Sequence, residues 1–341
     1  MRILNVEASY FVSHFRRLGH EVLTIGPGRD SDVVQDRPLG ARELLRVLED
    51  RKFRPDLALW ADGCRPPSVL GLELLPCVTM GYSIDQYCNP WHVPWSACFD
   101  LFWVAQKDYV PLFNLPQLRR PVRWFPLFFN AEGLSEVDAE RDIPVGFVGT
   151  VSGSINRERK RFLDDFRVLA PLVAVQGAYR PVYARCQLVL NQSAAAEVNF
   201  RVFEGAGCGA LVVTERVDNG LRELFEPGVE IAVYERGNAA HAAQTCRALL
   251  QDHDRRQRMT AAGRRRVMRE HTAAARAREI LDAAVKMAVQ RSWTWRRDNQ
   301  AVVQTEIGKM CLFLGLDQEL PLPWDMAQGY CRMGMERMGR R

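Results

Sequence analysis

Short apolar runs alternate with amphipathic stretches along most of the chain. In the first half, the apolar runs predict strands at 2–6, 21–25, 57–60, 77–80 and 101–105, and the amphipathic stretches predict helices at 11–18, at 42–52 and from Asp108. In the second half, the run 188–191 leads into a helix and then into the run 210–214. Buried parallel strands have continuous apolar sequences, and strands that alternate with helices form βαβ units. The pattern therefore predicts an α/β protein with parallel sheets and helices on both faces.

Length and linker composition divide the chain. A chain of 341 residues with 47% hydrophobic content exceeds what one core usually serves. The polar, acidic stretch within 129–142 predicts the boundary between an amino-terminal domain, 1–130, and a second domain, 143–285. Residues 286–341 are predicted to form a helical tail. The tail's apolar residues that share one helix face predict packing on the body of the protein or on a partner chain as a homodimer; they are Ile307, Met310, Cys311 and Leu314.

Polar residues suited to a nucleotide ligand follow the run 188–191. Asn199 can cap the next helix, whose first backbone N–H groups and positive dipole end would face a phosphate. Arg201 adds a fixed cation in the first turn, and Glu204, one turn further, is an acceptor suited to the two hydroxyls of a ribose. Together they predict a site for a nucleoside diphosphate. The alternative is that Arg201 and Glu204 are solvated helix charges.

The stretch 205–210 matches the dinucleotide-binding pattern G-x-G-x-x-A, but its context is reversed. That fingerprint follows a strand and opens a helix, whereas here a helix precedes the glycines and a strand follows them. We expect a helix end and a tight turn instead. The first strand-to-helix loop, 7–10, also lacks the glycines that a dinucleotide needs. Both observations disfavour an NAD-dependent oxidoreductase or a nucleotide-sugar epimerase.

Three motifs of the second half resemble the CgeB-like branch of the GT-B glycosyltransferases. They are N-x-R-x-F-E at 199–204, C-G-A at 208–210 and E-L-F-E-P-G at 223–228. The same family begins this domain with F-V-G-T, present at 147–150, and an arginine about ten residues further on. The resemblance covers most of residues 140–285, with looser matches at 53–56, 82–92 and 105–110. It implies two Rossmann-like domains facing each other across a cleft, and an enzyme of the hexosyltransferase type.

The resemblance also implies roles for single residues. Glu204 would hold the ribose, and Arg201 with Arg157 or Arg159 would face the diphosphate. The full set of predicted donor-binding residues is Gly149, Thr150, Arg157, Arg159, Asn199, Arg201 and Glu204. Because preplaced cations stabilise the charge that grows on a leaving nucleoside diphosphate, no metal or other cofactor is expected. UDP is the first carrier to consider, with guanosine and deoxythymidine carriers left open.

A second glutamate of the family has no matching position here. Many retaining relatives have about seven residues between it and the ribose glutamate, whereas six lie between Glu197 and Glu204, so Glu197 is one residue out of that register. Retention or inversion of the sugar therefore stays open. The same mismatch keeps a non-catalytic nucleotide-sugar-binding or assembly protein as the first alternative to a glycosyltransferase.

The loop 81–92 of the first half mixes a carboxylate, an imidazole and aromatic rings, a mixture typical of sugar binding. Asp85 is predicted as a general base toward an acceptor hydroxyl, and His92, with an ordinary pKa near neutrality, could do the same. The alternatives are that Asp85 is a turn residue and that His92 packs in the core. The acceptor can be a glycan, a lipid-linked sugar or a protein.

The net charge of +5 is slight for this length, although arginines are concentrated in 255–297. Most such runs are solvated helix faces. A peripheral membrane contact through lipid headgroups, or a contact with an anionic glycan, stays open, and nucleic acid is not expected as a partner.

The cysteines and the hydropathy of the chain indicate the cellular compartment in which the protein is expected. The nine cysteines lack C-x-x-C spacing, which predicts free thiols. Cys88, His92 and Cys98 come nearest to a metal cluster but lack a paired motif, so no metal site is expected. No apolar run approaches the roughly 20 residues that span a bilayer, and the chain begins directly with a strand. We therefore expect a cytoplasmic protein.

Overall fold

The computed structural model describes residues 1–35, 37–134, 140–151, 156–320 and 322–339. Within these residues the strands are β1 (Arg2–Glu7), β2 (Glu21–Gly26), β3 (Val33–Val34), β4 (Leu57–Ala61), β5 (Val78–Ser83), β6 (Leu101–Val104), β7 (Val122–Trp124), β8 (Ile143–Val148), β9 (Val173–Val175), β10 (Cys186–Asn191), β11 (Leu211–Glu215) and β12 (Ala232–Tyr234). The helices are α1 (Val12–Arg17), α2 (Ala41–Asp50), α3 (His92–Trp95), α4 (Arg157–Leu169), α5 (Arg180–Tyr183), α6 (Phe200–Gly207), α7 (Leu221–Leu224), α8 (Ala239–Gln251), α9 (His253–Glu270), α10 (Ala273–Val289), α11 (Trp293–Asp298), α12 (Gln300–Leu316) and α13 (Trp324–Arg337). Short 3₁₀ helices cover Leu72–Leu74, Ser96–Cys98 and Lys107–Phe113.

The chain divides into two compact units. The first consists of Met1–Phe125 and Ala277–Arg341, and the second of Pro126–Arg276. The first unit has a seven-stranded sheet in the order β3-β2-β1-β4-β5-β6-β7, and the second has a five-stranded sheet in the order β12-β11-β10-β8-β9. All strand pairs in both sheets are parallel. The prediction of parallel α/β sheets is confirmed.

Strand burial explains why the strands have continuous apolar sequences. Every residue of β4, β5 and β6 is buried, since helices cover both faces of the sheet. The core of the first unit gathers large aromatic side chains around Trp60 of β4, including Trp91, Trp95 and Phe102. The core of the second unit combines β8, β10 and β11 with α4 and α8.

The carboxyl-terminal helices complete the core of the first unit. The apolar face predicted for the tail packs there, with Ile307, Met310, Cys311 and Leu314 of α12 all buried in the same cluster as Trp60. Tyr330 of α13 belongs to this cluster too. Residues far apart in sequence therefore share one core.

A buried arginine joins the two segments of the first unit. Arg296 of α11 is 2% exposed, and its Nε lies 3.0 Å from Oδ1 of Asp100, which precedes β6. The same guanidinium donates to the carbonyl oxygens of Glu73, Leu75 (3.2 Å) and Cys77 (3.0 Å). A buried charge requires this degree of pairing, because an uncompensated one would be very costly.

One local difference from the sequence predictions has a simple cause. The predicted helix from Asp108 is a 3₁₀ helix over Lys107–Phe113, in which Pro111 has no N–H for a helical hydrogen bond. Parts of the predicted domain scheme fall outside the described residues, namely 36, 135–139, 152–155, 321, 340 and 341. The predicted domain limits themselves stay a prediction.

Within the described ranges, no helix has the length and apolar character required to cross a bilayer. All nine cysteines are free thiols, as the sequence predicts.

Replacement of Arg296 tests how far the first unit depends on its carboxyl-terminal segment. Arg296→Met would leave Asp100 and several carbonyl groups buried without their donor, so we expect the free energy of unfolding to fall by about 3–5 kcal/mol. Chemical denaturation followed by tryptophan fluorescence measures the change. Arg297→Met is the matched control, because Arg297 pairs with Asp298 at the surface and its loss should cost less than about 1 kcal/mol. Equal effects of the two substitutions would contradict the assignment.

Candidate functional site

Polar groups of the second unit gather at the carboxyl-terminal edge of its sheet. There β8 ends at Val148 and β10 ends at Asn191, and α6 begins at Phe200. The predicted cap of α6 is present, since Asn199 Oδ1 accepts a hydrogen bond of 3.2 Å from the backbone N–H of Arg201. Ligands of parallel α/β sheets bind at this edge.

Arg201 is 9% exposed and is anchored by neutral oxygens. Its Nε donates to the carbonyl oxygen of Val148 at 3.0 Å, and its Nη1 donates to Asn191 Oδ1 at 2.7 Å and to the carbonyl oxygen of Gln192 at 3.3 Å. The guanidinium also lies 4.2 Å from the centre of the Phe147 ring. None of these contacts neutralises the charge, which stays available to an anion.

Arg159 brings a second guanidinium to the same place. Its Nε donates to Gln192 Oε1 at 2.7 Å, and its Nη1 donates to the carbonyl oxygen of Thr150 at 2.7 Å. It lies 5.7 Å from the same Phe147 ring that Arg201 covers. Arg157, the other predicted arginine, is exposed at the start of α4. Of the two, Arg159 is the one that the structure brings to Arg201.

Two glycines allow this close arrangement. A Cβ atom on Gly149 would overlap Nη2 of Arg201, so only glycine leaves room for the guanidinium at the end of β8. A Cβ atom on Gly205 would lie 3.0 Å from Val189 of β10 and from Val212 of β11, tighter than ordinary contact. Glycine at 205 therefore lets α6 lie close to the strands that position Arg201.

The carboxylate of Glu204 lies one helical turn after Arg201 and is largely buried. Burial raises the pKa of Glu204 to about 7, against the opposing effects of the Arg201 and Arg180 guanidiniums. Within the described part of the chain, this carboxylate has no hydrogen-bond donor of its own. A buried acceptor without a donor is suited to ligand hydroxyls, which supply donors.

The rest of the motif follows the sequence predictions. The glycine-rich stretch ends α6 at Gly207, turns at Gly209 with a φ of 77°, and enters β11 at Leu211. The context that argued against dinucleotide binding is thus confirmed. Glu197 folds back on its own loop, where it accepts hydrogen bonds from the backbone N–H groups of Ala194 (3.0 Å) and Ala195 (2.5 Å).

A second polar cluster lies at the carboxyl-terminal edge of the first sheet, in the first unit. Its centre is Asp62, directly after β4, which the sequence analysis did not single out. The buried Asp62 carboxylate accepts hydrogen bonds from the backbone N–H groups of Cys64 (2.8 Å), Ile84 (3.0 Å) and Asp85 (2.9 Å). Asp62 therefore fixes the start of the loop that carries the predicted base.

Asp85 and His92, the two predicted catalytic residues, lie in different surroundings. Asp85 is partly exposed and accepts a hydrogen bond from the thiol of Cys64. His92 is fully buried against Trp60 and Trp91, and its Nδ1 lies 2.9 Å from Ser83 Oγ. Burial lowers the pKa of His92, with Asp62 at 3.8 Å opposing the effect. The environment of His92 is that of a packed, neutral imidazole.

Glu7, at the end of β1, is another acidic residue of this edge that the sequence analysis missed. Burial raises the pKa of its carboxyl, and Oε1 accepts a hydrogen bond of 2.5 Å from the backbone N–H of Ser68. Oε2 is buried without a partner in the described structure. A single acid after an apolar strand is the only sequence signal for Glu7 or Asp62.

Metal coordination has no preformed site in the described ranges, where no group of three His, Cys, Asp or Glu side chains is arranged to hold an ion. Cys88, His92 and Cys98 do not form such a group.

Comparisons with known proteins agree with this geometry. Residues 139–282 match the model of a family described as glycosyl transferase-like. HepE (Alr3699) from Anabaena, solved with UDP-glucose, superposes with a TM-score of 0.62 at 13% identity, covering 84% of this chain and 100% of that one. A glycosyltransferase from Rickettsia africae superposes with a TM-score of 0.61 at 12% identity, covering 84% and 98%. Sucrose-phosphate synthase from Thermosynechococcus elongatus gives 0.58 at 11% identity, covering 85% and 100%.

At these identities the superpositions establish the fold, and no curated protein matches the chain in sequence. Two parallel Rossmann-like sheets with a glycosyl transferase-like second unit define a GT-B glycosyltransferase. The match of residues 139–282 to the glycosyl transferase-like model confirms the resemblance seen in the motifs.

The pKa of Glu204 makes a pH-dependent prediction. Because it rises from 4.5 to about 7 on folding, the folded protein binds this proton more tightly than the unfolded chain. The free energy of unfolding should therefore fall as pH rises between these two values. Glu204→Gln removes this dependence, so the variant should gain up to about 3 kcal/mol over the original protein at pH 8 and nothing at pH 4.

Denaturation at a series of pH values measures this gain. Asp254→Asn, at an exposed position of α9, is the matched control and should show no such trend. A difference between Glu204→Gln and the original protein that does not vary with pH would contradict the raised pKa.

Proposed function

We propose that the chain transfers a hexosyl group from a UDP-sugar to a hydroxyl of a glycan, lipid-linked or protein acceptor, without a metal ion. The second unit would bind the donor, and the carboxyl-terminal edge of the first sheet would bind the acceptor. Support for UDP comes from the HepE structure, whose ligand is UDP-glucose. A cytoplasmic location belongs to the same proposal.

One observation carries the donor assignment. Arg159 and Arg201 lie against the same phenylalanine ring, and both donate to Gln192, although their like charges repel. Two guanidiniums held this close together concentrate positive charge, which favours a ligand with two negative groups. A diphosphate is such a ligand, and the first backbone N–H groups of α6 would add to its binding.

The same groups would act in the reaction. As the glycosyl bond breaks, negative charge grows on the diphosphate of the leaving group. Arg159 and Arg201 are fixed before the reaction begins, so stabilising that charge costs no reorganisation. Glu204 would accept hydrogen bonds from the ribose, and its ionised form would do so best.

Asp85 is the better placed of the two proposed bases. It is partly exposed, and Asp62 fixes its backbone, whereas His92 is enclosed by aromatic rings. In this proposal Asp85 removes the proton of the acceptor hydroxyl, and His92 supports the loop through Ser83.

A non-catalytic, nucleotide-sugar-binding protein is the second candidate. The observation that favours it is Glu197, whose carboxylate is occupied by the backbone of its own loop. Such a protein would bind UDP-glucose and never turn it over.

Titration calorimetry with UDP tests the donor site. Arg201→Ala and Glu204→Ala should each weaken UDP binding by about 1–3 kcal/mol, because each removes a charged partner of the ligand. The matched controls are Arg258→Ala and Asp254→Asn, two exposed positions of α9, which should leave binding unchanged. Equal affinity of the original protein and both site variants would refute the donor site. Binding of NAD in place of UDP would move the assignment to an oxidoreductase.

Asp85→Asn separates binding from catalysis. The substitution keeps the size of the side chain and removes the base, so UDP affinity should be unchanged while hydrolysis or transfer from UDP-glucose falls by about 10²-fold or more. The coupled release of UDP provides the measurement. Asp50→Asn, exposed on α2, is the control. Full activity of Asp85→Asn would remove this residue from the proposal, and UDP-glucose binding without turnover by the original protein would support the second candidate.

A further inference from the structure

A separate cavity of about 430 Å³ lies in the first unit, at the amino-terminal edge of its sheet. Asp100 and Leu101, where β6 begins, line it together with Pro121, which precedes β7. The predicted acceptor site lies at the opposite, carboxyl-terminal edge of the same sheet. The cavity is therefore distinct from the edge that carries Asp62 and Asp85.

Five cationic side chains line this cavity, namely Arg119, Arg120, Arg123, Lys286 and Arg291. We call this set the basic pocket. Within the described part of the chain, none of the five pairs with a carboxylate. The acid in the lining, Asp100, is already bonded to Arg296 and to Thr79. The positive charge of the pocket is therefore not compensated by the protein.

Arg120 shows that this charge has a cost. Its Nη2 donates to Ser96 Oγ and to the carbonyl oxygen of Phe113 at 3.3 Å, but its Nε and Nη1 are buried without a partner in the described structure. Burial lowers the pKa of Arg120 to about 9. A buried guanidinium with unpaired N–H groups destabilises the protein unless another molecule supplies the acceptor.

We propose that the basic pocket binds a phosphate group with two or more negative charges. Phosphate oxygens would accept hydrogen bonds from the unpaired N–H groups, and the negative charge of the phosphate would balance the excess positive charge. Such a group can come from a soluble phosphorylated compound or from the headgroup of an anionic lipid. The lipid would also contact Val285 and Val289, two exposed residues one turn apart on α10 that flank Lys286.

The test uses the full chain with inorganic pyrophosphate as the probe, and both charge reversals are made in the Arg201→Ala background. Arg123→Glu combined with Lys286→Glu reverses two exposed cations of the pocket, and Arg42→Glu combined with Arg46→Glu makes the same charge change on α2 as the matched control. Arg201→Ala removes the proposed donor site. Calorimetry should show pyrophosphate affinity weakened about tenfold or more in the pocket variant in the Arg201→Ala background, and unchanged in the α2 variant. Equal affinity of the pocket and α2 variants would overturn the proposal.

Flotation with vesicles distinguishes the two sources of phosphate. If the ligand is a lipid headgroup, vesicles of equal parts phosphatidylglycerol and phosphatidylcholine should bind the original protein and the α2 variant. The same vesicles should not bind the pocket variant. Pyrophosphate binding by the pocket without vesicle binding would support a soluble ligand. Vesicle binding that both charge reversals weaken equally, without pocket-dependent pyrophosphate binding, would reflect general attraction to the surface and would overturn the proposal.

Arg120→Met adds a readout that a structural role would not give. Because it removes a buried charge with unpaired donors, the melting temperature of the free protein should not fall, while the rise caused by pyrophosphate should be lost. A large fall in the melting temperature of the free protein, with the pyrophosphate effect retained, would show that Arg120 serves the fold and not the ligand.

Discussion

The ion pair between Arg296 and Asp100 is the contact on which the first unit most depends. A single guanidinium reaches one carboxylate and the carbonyl oxygens at the start of β5, so it fixes where α11 lies against the sheet. From there the chain continues into α12, whose apolar face fills the core around Trp60. Without the ion pair, the aromatic core would lose the element that covers it. The interaction thus converts a sequence-distant segment into an integral part of the fold.

The buried arginine of the second unit, Arg201, is bonded in a different way from Arg296. Arg201 is anchored by a side-chain amide oxygen and two backbone carbonyls, and among the described residues no carboxylate is hydrogen-bonded to it as Asp100 is to Arg296. Arg296 is therefore paired with an acid within the protein, whereas Arg201 is held rigidly by neutral oxygens. This contrast between two buried arginines separates a structural charge from one suited to a ligand. The basic pocket of the first unit belongs to the second kind.

The sequence predicted those features whose structure is determined by residues close by in the sequence. The strand that ends at Asn191, the cap at Asn199 and the turn at Gly209 are all specified within a few residues, by apolar runs, capping chemistry and glycine. Asp62 and Glu7 were missed because they become neighbours only when β1 and β4 pair, and sheet order cannot be read from single strands.

Arg296 shows a further limit of the sequence. Arg296 is adjacent to Arg297 in an arginine-rich stretch, and nothing in the sequence distinguishes the buried side chain from the exposed one. In the same way, Arg159 of α4 and Arg201 of α6 meet on the Phe147 ring of β8 only when three sequence-distant elements pack together.

The first unit combines two segments that are separated in sequence by the whole second unit, and this sets an order of events during synthesis. The seven-stranded sheet leaves the ribosome before the second unit, yet its aromatic core stays incomplete until α12 emerges after that unit. The first unit is thus begun before the second and completed after it, and a chaperone would have the greatest effect during that interval.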